Sequence, residues 1–123
     1  MATTKRSAPE LNGLEAVVAK IEAMSPSDRA LAEGVHALLT RVAPDLEVRT
    51  WYGMPGYALD GKVIVFFQAG EAFKTRYSTL GFQPAAQLDD GDMWATSFAL
   101  LALTPDIERR ITELLLAALG RTA

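Results

Sequence analysis

Apolar positions recur with a helical period from the start of the patterned chain. Leu14, Val17, Val18, Ile21 and Met24 share one stripe, with Glu15, Lys20 and Glu22 outside it, which predicts a first packed helix. Ser25-Pro26-Ser27-Asp28 then reads as a helix start. Ser25 can accept from an orphan N–H, Pro26 lacks the donor that the first helical position leaves unused, and Asp28 favours the positive end. Leu31, Val35, Leu38, Leu39 and Val42 form a second stripe that should stop before Pro44. Two such helices in succession predict a helical hairpin.

From Leu46 the period changes to two. Leu46, Val48 and Tyr52 fall on one face and Glu47, Arg49 and Trp51 on the other, as a half-buried strand requires. Residues 57–59 lead into Asp60-Gly61, which tolerates positive φ and marks a tight hairpin turn. Residues 63–68, VIVFFQ, are apolar on both faces and predict a central strand. Phe73, Thr75 and Tyr77 alternate with Lys74, Arg76 and Ser78, the pattern of a more exposed neighbour. A loop through Gly81, Pro84 and residues 89–92 should then lead to a last strand within residues 94–103. Thr104-Pro105-Asp106 caps a final helix whose stripe is Ile107, Ile111, Leu114, Leu115 and Leu119, with Gly120 ending it. Strands grouped between helices predict the α+β class: an N-terminal helical hairpin, an antiparallel sheet of about five strands, and a C-terminal helix packed on the sheet.

Composition narrows the function classes. The 123 residues, 50% hydrophobic, suit one domain over residues 13–123 behind a start that reads as frayed through Asn12. Lys+Arg 12 against Asp+Glu 15 gives a formal net charge of -3, with no general attraction for phosphate backbones or anionic lipid. Neither nucleic acid nor membrane is therefore an expected partner. The absence of cysteine excludes disulfides, thiolate nucleophiles and cysteine zinc sites. The first residues lack the apolar stretch of about 7 to 15 positions that a secretory signal needs. The runs FALLAL and LLLAAL fall far short of a spanning helix of about 20 residues, so a cytoplasmic location is the expectation.

The reactive side chains give little. His36, the one histidine, lies beyond the edge of its helix's apolar stripe and reads as a surface or boundary residue without an obvious partner. No serine sits in a GxSxG elbow, no acid–base pair stands out, and the chain reads as non-enzymatic with no catalytic residue. Leu88-Asp89-Asp90-Gly91-Asp92-Met93 gathers carboxylates that attract hard cations, but its spacing meets no EF-hand pattern and suits a solvated turn. No metal ligand and no cofactor is assigned. Lys62, Lys74 and Arg76 either converge on an anionic ligand or protect a sheet edge.

The richest stretch is RTWYGMPGYALDG, residues 49–61. Pro55 lacks a backbone donor and Gly53 and Gly56 permit unusual conformations, so the segment should interrupt the ladder as a bulge and re-aim Trp51, Tyr52 and Tyr57. These rings either close the core or wall a small cavity with Phe66 and Trp94. The candidate ligand-binding set is Trp51, Tyr52, Met54, Pro55, Tyr57, Lys62, Lys74 and Trp94, with Lys62 or Lys74 orienting any anionic group. The expected partner is a small molecule or another protein, and exposed edge strands permit a homodimer.

The order of a helical hairpin, YGMPGY at residues 52–57, GKVIVFF at residues 61–67 and a last amphipathic helix resembles the YdhG-like domain family over about residues 14–119. The Gly53-Met54-Pro55 core is the most specific part of the likeness. The resemblance implies a compact α+β domain in a family mostly of unsettled function, some of whose members are described as frataxin-like intracellular iron chaperones. The family often carries Lys-Xaa-His after the apolar hairpin, where this chain has Glu71-Ala72-Phe73. Iron would then rest on carboxylates such as Glu71, Asp89, Asp90 and Asp92. Two expectations result: a non-enzymatic binding or interaction module using the aromatic Gly-Met-Pro segment, and, as the alternative, a ferrous-iron chaperone.

Overall fold

The computed structural model describes residues 12–121. Of the stretch read as frayed, only Asn12 lies within them, and it is a helix cap. Its side chain accepts from the Glu15 N–H at 2.7 Å while its own N–H donates to the Glu15 carboxylate at 3.2 Å, closing a capping box. Helix α1 (Gly13–Glu22) and helix α2 (Pro26–Val42) form the expected hairpin. The buried stripe of α1 is narrower than its spacing suggests: Val17 and Ile21 are buried, whereas Leu14 and Val18 are 50% and 38% exposed. At the start of α2, Pro26 occupies the first turn but Ser25 makes no side-chain capping bond. Asp28 is buried, and its carboxylate accepts from the main-chain N–H groups of Glu71 (3.1 and 3.3 Å) and Ala72 (3.3 Å).

Five strands follow in chain order: β1 (Glu47–Trp51), β2 (Met54–Leu59), β3 (Lys62–Gln68), β4 (Ser78–Phe82) and β5 (Ser97–Leu100). They form one antiparallel meander in the spatial order β1-β2-β3-β4-β5. Helix α3 (Pro105–Ala118) begins with Thr104 Oγ1 accepting from the Ile107 N–H at 3.2 Å. Gly120, at φ 70°, ends it, and the Arg121 N–H returns to Leu116 O at 2.8 Å. Arg121 then grips the Asp45 carboxylate through two nitrogens, at 2.7 and 3.0 Å.

Tyr57, Val65, Phe67, Leu80 and Phe82 alternate onto the face that meets Val17, Ile21, Val35, Leu39, Ile111 and Leu115 in a single core. Trp51 and Phe66 occupy the opposite face. All three helices thus cover one side of the sheet. Among the described residues no helix is long and apolar enough to cross a membrane.

Three local expectations are corrected. Gly53-Met54-Pro55-Gly56 is not a bulge: Tyr52 and Gly53, at φ 50° and 77°, make a two-residue hairpin turn, and Met54 already pairs with Trp51. Such a turn makes Trp51–Met54 a hydrogen-bonded pair and Thr50–Pro55 a non-bonded one. The missing donor of Pro55 therefore points toward β3, where pairing begins only at Gly56, so proline costs no ladder bond. The real irregularity in β2 lies between Tyr57 and Ala58.

The alternation over residues 73–78 belongs to turns rather than a strand. Asp28 fixes the main chain of Glu71 and Ala72, Lys74 adopts φ 58°, and Thr75 Oγ1 donates to Tyr77 O at 2.8 Å. The fourth strand starts at Ser78 and includes Gly81, which had read as loop. The last strand occupies only Ser97–Leu100 of residues 94–103.

Candidate functional site

The sheet divides the predicted ligand set into separate places. Tyr57 is 1% exposed and belongs to the core. Its hydroxyl lies 2.9 Å from Nδ1 of His36, and burial raises its pKa well above the ordinary tyrosine value, so the phenol stays protonated. His36 is therefore half-buried, as a boundary residue is, but it has a partner, contrary to its reading as a residue without one. Helix periodicity placed it at the stripe's edge correctly, but only the fold brings Tyr57 across to it.

Burial lowers the His36 pKa. The unfolded chain, with histidine near its ordinary value of about 6.5, then binds the proton more readily than the folded one. Stability is fully present above that unfolded value and falls as pH drops below it, levelling off beneath the folded pKa. Because His36 is the chain's one histidine, urea midpoints should decrease from pH 7.5 to pH 5.5 in the parent and change less in His36→Gln. Equal slopes in both would remove His36 as the source.

Trp51 stays on the uncovered face. Its ring packs at 4.9 Å from Phe66 and meets Tyr52 edge-on at 4.7 Å, while Tyr52 itself is 83% exposed in the turn. Trp51 packs beside Gly56: a Cβ there would lie 3.0 Å from Trp51 Cβ and 3.3 Å from Arg49 O. Lys62 and Trp51 both line a shallow groove of about 450 Å³ completed by Val63, Gln83, Pro84 and Ala85. Trp94 does not line that groove or stack on Trp51. Lys74 is exposed in the 70–77 loop, and Arg76 there stacks over Tyr77 at 5.4 Å. Lys62, Lys74 and Arg76 do not share one sheet face, because the last two are not on a strand.

Pro55 opens instead on the helical side, and Met54, whose side chain shares the face of its cross-strand partner Trp51, borders the same opening. With Gly53 they form one wall of a cleft of about 180 Å³, opposite Lys20 and Met24 and above Phe67 and Phe73. The volume is slightly larger than the roughly 150 Å³ cavity known to admit benzene. Each wall has a local cause. The hairpin turn exposes Gly53, and Lys20 lies across it, with Cε and Nζ 3.9 and 4.0 Å from where a Cβ would stand. Phe73 is positioned by the loop that Asp28 anchors, and Ser27 Oγ reinforces this by donating to Glu71 at 2.9 Å. The hydroxyls of Ser25 and Ser27 beside Glu71 hold its carboxyl below the usual range, only Ser27 reaching hydrogen-bond geometry. Gly70 closes the loop: an added Cβ would come within 2.7 Å of Tyr77 O.

Lys20, Met24 and Phe73 escaped the sequence reading as site residues. Lys20 looks like a cation complementing the end of α1, and Phe73 looks like a strand residue. Chemically, the cleft joins apolar walls that include Met24, Phe67 and Phe73 to one ammonium, and among the described residues Lys20 makes no ion pair. Asp89, Asp90 and Asp92 are exposed, and among the described residues no three histidine or carboxylate side chains gather to hold a metal. Comparison with protein-family models, curated proteins and solved structures returned no match.

Proposed function

We propose that this domain, with its sequence resemblance to YdhG-like domains, is a non-enzymatic binding module for a small apolar molecule carrying an anionic group. The observation that supports this reading is the cleft itself: Gly53, Met54 and Pro55 face Met24, Phe67 and Phe73, with the Lys20 ammonium at one side. Apolar walls with few charged groups are the usual composition of a small-molecule site. Here the walls supply contact area and the ammonium selects the charged end.

Benzoate is a suitable probe, tested against benzamide by NMR titration and thermal shift. At roughly 0.4 kcal/mol per heavy atom, binding at about millimolar strength is expected. Lys20→Met should weaken benzoate while leaving benzamide unchanged, and Ala72→Trp, an exposed lining position, should block both. Failure of both probes to perturb Met54 and Phe73 resonances would count against the reading.

A further inference from the structure

The two edges of the sheet are unlike. At β1, the Trp51–Met54 closing pair sets the alternation, so Val48 directs its main-chain groups away from β2. That side is occupied: a Cβ on Gly13, the first residue of α1, would lie 2.1 Å from Val48 O. The helix start therefore stands against the outward carbonyl, and only glycine permits the approach.

The β5 edge has the opposite character. Phe82 donates to Thr96 O at 2.7 Å, so residues 98 and 100 continue the bonding to β4 while Ser97 and Ala99 direct their N–H and C=O groups outward. Ser97, Ala99 and Leu101 are exposed, Leu101 at 75%. Between Asp92 and Asp106 the chain carries no charged residue. Proteins commonly protect a free edge with charge, proline, a bulge or a covering element, and the exposed residues of β5 show none of the first two.

We propose that β5 is a homodimerisation edge, pairing antiparallel with β5 of a second copy. A two-fold axis at Ala99 sets its outward N–H and C=O against those of its own copy and brings Ser97 opposite Leu101 across the axis. Such an axis places like residues together, and an uncharged segment is what allows it without repulsion. The covered β1 edge explains why pairing stops at two chains: one available edge closes a dimer, whereas two would propagate a fibre.

Sedimentation equilibrium over a concentration series tests this. The parent chain is expected to show a reversible monomer–dimer equilibrium. Ala99→Pro removes an outward N–H without touching the bonds to β4, and Leu101→Lys adds a charge at the exposed end of the strand. Each variant should shift dimerisation to at least tenfold higher concentration with an unchanged far-ultraviolet circular dichroism spectrum. A monomer at every concentration, assemblies beyond two, or a dimer unaffected by Leu101→Lys overturns the proposal. Leu101→Lys decides it if the proline variant does not fold.

Discussion

Tyr57→Ala should lose about 3–5 kcal/mol of unfolding free energy, the range for emptying a buried aromatic site. Tyr57 is among the largest fully buried side chains, and its ring lies between α2 and the middle of the sheet. Tyr57→Phe separates packing from hydrogen bonding. It keeps the ring but leaves His36 Nδ1 without the partner at 2.9 Å, at a cost of about 1–2 kcal/mol. Urea denaturation of the three proteins at pH 7.5 measures both steps. A loss below about 1 kcal/mol for Tyr57→Ala would mean that the ring is not a core element.

The second large effect concerns Gly81. A Cβ there would lie 2.3 Å from Phe66 Cζ, because the far end of the Phe66 ring reaches over the glycine on the uncovered face. Gly81→Val should cost about 1–3 kcal/mol through displacement of that ring. In a Phe66→Ala background the obstruction is absent. Valine's preference for a strand, up to about 1 kcal/mol, should then make the same substitution neutral or stabilising. A double-mutant cycle reads this coupling as a change of sign. Equal costs in both backgrounds would show that the backbone, not the ring, demands glycine. Gly56 is crowded differently, by Trp51 Cβ and Arg49 O rather than by a ring.

The aromatic segment divides among three places. Trp51 serves the exposed face of the sheet, Tyr57 serves the core, and Gly53, Met54 and Pro55 serve the cleft beside α1. A single site formed from all of them is geometrically impossible because a sheet lies between. Gly53, Met54 and Pro55, from the hairpin that the sequence singled out, border the cleft on which the proposed binding role rests.

Local rules also marked much of the framework. Asp60-Gly61 makes the expected turn at φ 53° and 81°, Thr104-Pro105 starts α3, and Gly120 ends it. These succeed because each depends on conformational preferences within a few residues. The misplaced fourth strand shows the limit. Residues 73–78 alternate as a strand should, yet the buried Asp28 carboxylate holds the preceding main chain in a compact loop from more than forty positions away. Gly81 failed in the other direction: a residue that usually signals a loop is placed in a strand by the ring resting on it.

The α+β class, the order of helices and strands and the Asp60-Gly61 turn were therefore determined by the sequence alone, because hydrophobic period and backbone preference are local properties. Tertiary structure decided what those elements bring together: His36 with Tyr57, Asp28 with the loop carrying Phe73, and Lys20 with Gly53 and Met54. It also decided that α1 covers one sheet edge and leaves the other open. Such pairings join residues far apart in the chain, and their free energies arise only when packing excludes water and fixes the partners in place.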